Sequence, residues 1–132
     1  MKIKYLKCDW GMEGYGSPKE RLKKYKDAGY DGVECANIGM EAEKFADYID
    51  ELGLEYVAMV FCDTVQEFEE QLNELINRRP ILINCHPGRD FWDFDRGCNF
   101  FSNIFKSFVV NSPIFAKYHT LPGMLFEIRI LF

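Results

Sequence analysis

Residues 55–86 read EYVAMVFCDTVQEFEEQLNELINRRPILINCH. The run from Glu55 to Phe61 is apolar and β-branched enough for a buried strand. Thr64-Val65-Gln66-Glu67 then has the form of a capping box, in which the Thr hydroxyl and the Glu carboxylate satisfy orphan amides of a helix start. Val65, Phe68, Leu72, Leu75 and Ile76 recur at helical spacing, and their opposite face carries Glu67, Glu69, Glu70 and Glu74, a wet helix surface. Pro80 closes the helix, and Ile81-Leu82-Ile83 opens a second strand. Two buried strands joined by one amphipathic helix make a βαβ unit, whose strands run parallel through a right-handed crossover.

The same unit recurs toward the N-terminus. Ile3 to Cys8 alternates apolar and basic residues, as a first strand does, and Asp9-Trp10-Gly11 closes it. Ser17-Pro18-Lys19-Glu20 is another capping box with proline in the first turn, and Leu22, Tyr25 and Ala28 are its expected buried residues. Gly29 stops that helix. Asp31 to Cys35 is a short second strand, followed by a helix from Met40 to Leu52 with Ala42, Phe45, Ala46, Ile49 and Leu52 inward and Gly53 at its end. Cys8, Cys35, Cys62 and Cys85 each end a strand, so the repeat is 27, 27 and 23 residues long. Four βα units in a row predict an α/β fold of parallel strands: part of a (βα) barrel, or a small doubly wound sheet. Toward the C-terminus, Phe94, Cys98, Phe101 and Phe105 share one face of a fourth helix. Ile114 to Tyr118 reads as a fifth strand, and Met124 to Phe132 alternates as a further one.

Composition narrows the class. The 132 residues are 48% apolar and carry a net charge of −5, which suits one globular domain and opposes binding through phosphate contacts, so no nucleic-acid partner is expected. No apolar run is long enough for a membrane span, and no signal segment follows Met1. Five cysteines without a CxxC pair fit a reducing, cytoplasmic setting. Zinc is not read into the strand-end cysteines, because thiols on successive parallel strands form a row and not a tetrahedron. The composition breaks after Asp95: of the 21 acidic residues only Glu127 lies beyond it.

Two motifs carry a resemblance. Ala28-Gly29-Tyr30-Asp31-Gly32-Val33-Glu34 resembles the second-strand signature of the xylose isomerase-like TIM-barrel family, which contains sugar phosphate isomerases and epimerases. Ile83 to Asp90, INCHPGRD, followed by Phe91-Trp92, is similar to the fourth-strand motif of one branch. The resemblance covers residues 1–105 and implies a single, truncated barrel of four to five βα units, with 106–132 a divergent tail. It also implies a divalent metal, Mn, Mg or Zn. In that branch a fifth-strand Glu ligates the metal; here Ala116-Lys117-Tyr118-His119-Thr120-Leu121 stands in its place, with Lys117 where the Glu belongs. The family's metal ligands are therefore not carried over to this chain.

Parallel α/β folds build their sites at the C-terminal ends of strands. Isomerisation or epimerisation of a sugar needs a base beside a carbonyl and a stabiliser for the enediolate charge. By resemblance Glu34 and His86 are the expected catalytic residues, Glu34 as base or as a carboxylate supporting the site, and His86 as proton shuttle or hydroxyl partner. Asp9, Trp10, Arg89 and Trp92 are the expected substrate-binding residues. Arg89 would pin a phosphate or carboxylate, and the two tryptophans would pack on a sugar ring. The substrate would be a sugar or sugar phosphate. The competing reading is a non-catalytic half-barrel that closes against itself or a second chain through its sheet edge. A third is a frameshifted or prematurely ended chain whose tail was never selected to pack. A nuclease of the same superfamily is the weakest, given the acidic balance and two histidines.

Overall fold

The computed structural model describes residues 3–111, which form an α/β layer of four βα units. Strands β1 (Leu6–Cys8), β2 (Gly32–Cys35), β3 (Glu55–Cys62) and β4 (Leu82–Pro87) alternate with helices α1 (Pro18–Asp27), α2 (Ala42–Leu52), α3 (Val65–Leu75) and α4 (Phe94–Asn111). The four strands make one parallel sheet in the order β1-β2-β3-β4. Among the described residues the order never reverses, so these four strands show no topological switch point of the doubly wound kind. Sequential parallel order is that of an arc of a (βα) barrel. The fifth strand expected at Ile114 to Tyr118, the segment Met124 to Phe132, and Lys117 and His119 lie outside the described residues.

The register sorts the side chains by face. Lys7 pairs with Val33, Cys35 with Ala58, and Val60 with Cys85, and this face meets the helices. Val33, Cys35, Tyr56, Ala58, Val60, Cys62, Ile83 and Cys85 pack there against Leu22, Tyr25, Phe45, Ile49, Phe68, Leu72, Leu75 and Ile104. The other face carries Cys8, Glu34, Val57, Met59, Phe61, Asn84 and His86, since Cys8 pairs with Glu34, Glu34 with Val57, Met59 with Asn84, and Phe61 with His86. The expected row of four cysteines is therefore broken: Cys8 faces away from the other three. The central strand β3 is buried on both faces over Tyr56–Val60, as a parallel interior strand is.

Local signals of the sequence appear as physical contacts. In the α1 capping box Glu20 N donates to Ser17 Oγ at 3.4 Å and Ser17 N to Glu20 Oε2 at 2.8 Å. At α3, Glu67 N donates to Thr64 Oγ1 at 3.1 Å, but the Glu67 carboxylate takes the Asp63 amide instead of that of Thr64. Gly53 ends α2 in the left-handed region, φ 59°. Gly32 permits β2 to approach β3, because a Cβ there would lie 2.5 Å from the Glu55 carbonyl oxygen.

Three expectations are corrected. β1 is three residues long, and Ile3, Lys4 and Tyr5 lie outside the sheet, exposed. Ala28 is exposed, and Arg21 takes a buried place on α1 beside Leu22 and Tyr25. On α4 the row Phe94, Cys98, Phe101 and Phe105 lies outside the core, with Phe94 78% and Phe105 61% exposed and Phe101 half-buried. The inward row is Gly97, Phe100, Ile104 and Ser107, where Ile104 joins the core and the Ser107 hydroxyl donates to Glu69 of α3.

Candidate functional site

The six residues expected at the C-terminal ends of the strands lie in three distinct places. The first is a cleft of about 440 Å³ at the ends of β1, β2 and β3, lined by Asp9, Trp10, Glu13, Asn37, Met59, Phe61 and Arg89, among others. Trp10 is 74% exposed and meets Phe61 edge-on, with ring centroids 6.0 Å apart. Phe61 in turn stacks on His86, centroids 4.9 Å apart and planes 17° from parallel. Trp10, Phe61 and His86 so make a continuous ring wall across the ends of β1, β3 and β4. Rings of this kind present a flat apolar face with a polar edge, suited to the apolar side of a polyhydroxy ring.

Asp9 lines this cleft, but its carboxylate is already held. Arg21 donates to both of its oxygens, Nε to Oδ1 at 2.9 Å and Nη2 to Oδ2 at 3.0 Å, and Tyr25 Oη donates to Oδ1 at 2.6 Å. Asp9 and Arg21 are both buried. A buried carboxylate needs such partners, because desolvation without them costs more than a single ion pair returns. The Asp9 carboxylate holds the guanidinium of Arg21 firmly in its charged form, raising its pKa. Burial, and then Asp9, push the Tyr25 phenol up as well. The same burial and the same carboxylate drive the Cys35 thiol up to about 12, so it stays protonated and inert at neutral pH. Asp9 thus ties β1 to α1 from the edge of the cleft.

The second place is a polar row on the sheet face away from the helices. Asn84 Nδ2 donates to Glu34 Oε1 at 2.8 Å, reaching from β4 to β2 over the central strand. Asn84 Oδ1 and His86 Nε2 are buried and have no hydrogen-bond partner among the described residues. Glu34 sits level with Val57, Asn84 with Met59 and His86 with Phe61, so each step of the row climbs two residues. At ~3.3 Å per residue, Glu34 and His86 differ in level by roughly 13 Å. They do not form one acid–base pair; Asn84 stands between them. Neither Glu34 nor His86 is among the residues lining the cleft.

The third place is the loop after β4. Gly88 has φ 87°, and a Cβ on it would lie 2.9 Å from Trp92 Cε3, so the turn and the indole fit only with glycine there. Trp92 packs edge-on against Phe100, centroids 5.1 Å apart, and the Arg96 guanidinium lies 4.1 Å over its ring. The indole is thus engaged by α4, away from Trp10. Arg89 extends the other way and donates to Asp63 Oδ2 at 2.6 Å from both Nε and Nη2. Arg89 beside it holds the Asp63 carboxyl below the usual carboxylate range, with Glu67 adding to the effect. The pair closes the loop over the end of β3 while Arg89 still lines the cleft.

Among the described residues no three of His, Cys, Asp and Glu come together as a metal cage would require. No helix among them is long and apolar enough to cross a membrane. Sequence reading passed over Phe61, Asn37 and Asn84. Phe61 carried a usable signal, since its place in β3 gives it the parity of a residue facing His86. Asn37, whose Oδ1 caps Gly39 N at 2.9 Å, and Asn84 gave none, because their roles depend on which strands are neighbours. No known family matches the chain, and neither does any curated protein.

Proposed function

We propose that this site handles a sugar or sugar phosphate and moves a proton next to its carbonyl, as an isomerase or epimerase does. The observation that carries the reading is the polar row Glu34–Asn84–His86 beside the ring wall of Trp10 and Phe61. A carboxylate on the sheet face away from the helices can act as a base toward a C–H acid, and a buried nitrogen farther along the row offers a place for a hydroxyl. Glu34 takes the role of base, His86 holds a hydroxyl or carries a proton at the far end of the row, and Arg89 offers its exposed side to a phosphate. The motif resemblance at 28–34 and 83–92 supports the substrate class. The ligand spans the two levels, so recognition by several hydroxyls comes before chemistry.

The test is proton exchange. The chain is incubated in D2O with D-fructose, D-xylulose and D-fructose 6-phosphate, with and without added Mn, and deuterium next to the carbonyl is followed by NMR. Wash-in above the buffer rate that is abolished by Glu34→Gln is the expected result. Absence of both exchange and binding across this panel sinks the reading.

A second reading, a half-barrel that closes against a second copy, is favoured by one observation: one apolar flank of α4 leaves Phe94 and Phe105 exposed, with Phe101 half-buried between them. In a barrel that flank of a helix meets the next unit.

A further inference from the structure

Asn84 has two ends, and they face different things. It stands opposite Met59 on β4, while Glu34 stands opposite Val57 on β2. Strands two apart in a sheet are separated by roughly 9.6 Å, so a contact between them requires two extended side chains meeting over the strand between. Asn84 and Glu34 do so at 2.8 Å. The amide nitrogen is the donor and faces Glu34, whose carboxyl oxygen accepts. The amide oxygen is thereby turned away, and it is buried without a donor. Two residues on, along the same strand face, His86 Nε2 is in the same condition.

A side chain serving only to fill the sheet face would not leave an acceptor of this kind unmet, because buried polar atoms are almost always paired. Nor would a bond serving only stability be placed across a central strand whose own side chains, Val57 and Met59, are apolar and buried. Resting on the sugar-handling reading above, we infer that Asn84 is the positioning residue of the site. Its Nδ2 fixes the direction of the Glu34 carboxylate, and its Oδ1 accepts a hydroxyl of the ligand on the side of His86. The residue thus sets the distance between the base and the recognised hydroxyl, and with it which carbon of the ligand lies over Glu34.

The experiment uses the full 15N-labelled chain and follows the side-chain amide of Asn84. A proton donated to a carboxylate is displaced from the free-amide position, so Glu34→Gln is expected to move that resonance toward the free value. D-Fructose or D-fructose 6-phosphate is expected to shift it again, saturably, in the wild type. In turnover, Asn84→Ala is expected to lower kcat by about 10- to 100-fold, the range seen when a supporting hydrogen bond is lost. Asn84→Asp keeps the shape but sets two carboxylates together, and is expected to be the poorer of the two. An Asn84 resonance indifferent to Glu34→Gln overturns the inference whatever the turnover, and so does a bound sugar that leaves it unmoved. Should the resonance respond to Glu34→Gln while no sugar binds or turns over, the hold on Glu34 is supported and the sugar-handling reading fails instead.

Discussion

At the scale of single residues, most of the polar chemistry near the strand ends has a structural partner. Arg21 is the clearest case: on a helix it reads as solvent-facing, yet it is buried to hold Asp9. Arg21→Met should cost about 3–5 kcal/mol in urea unfolding, because Asp9 is left buried with its charge uncompensated. The double variant Asp9→Asn, Arg21→Met should cost less than the single one; equal or greater loss would show that the pair is not coupled. Asp63 and Arg89 behave differently, being more exposed. The folded-state pKa of Asp63 is depressed by Arg89, so its contribution to the loop is present above the ordinary carboxylate value of about 3.9 and is lost as pH falls through the lowered one. The Arg89 Nε–H signal should therefore stay protected at neutral pH and be lost only in acid below that ordinary value. Loss of protection already near neutrality would contradict the pairing. Asn84 and Arg21 were illegible in the sequence for one reason: each is explained by a partner 12 or more residues away. Glu34 and His86 were legible as strand-end residues, but not their difference in level, which only the strand register sets.

At the scale of elements, the capping boxes, the glycine stops and the apolar stripes of α2 and α3 were readable because each is decided within a few residues. The fourth helix shows the limit of that reading. It has two apolar rows, and spacing alone cannot say which one the neighbouring helix chooses. Packing against α3 selects Ile104 and Phe100, and leaves the phenylalanine-rich row outside. Ile104→Ala should cost about 2–5 kcal/mol, whereas Phe105→Ser should stay within about 0.5 kcal/mol. Chemical denaturation of the two variants separates the alternatives, and a reversed order would mean that the helix is rotated. Gly88 and Trp92 form a further element-scale unit, since the left-handed turn leaves just enough room for the indole that seats the loop on α4.

At the scale of the molecule, the sheet is sequential, and the candidate site residues lie toward the C-terminal ends of its strands. The cysteine repeat announced that order, although Cys8 faces the other way and Cys85 lies two residues before the end of β4. If the outward row of α4 mates with a second copy, light scattering should give twice the monomer mass, and Phe94→Ser with Phe105→Ser should return it to one. A monodisperse monomer in the unaltered chain would remove that reading.

The strand order has one more effect. Every strand pairs with the strand made just before it, and each crossover is closed by the helix between them. Among the described strands no pairing waits for a distant part of the chain, so the loops to be closed between them are short. During synthesis, at roughly 5–20 residues per second, each unit can dock on its predecessor as it leaves the ribosome. The sheet is therefore built to assemble in the direction of translation, and the polar row is completed when β4 emerges and Asn84 reaches back to Glu34.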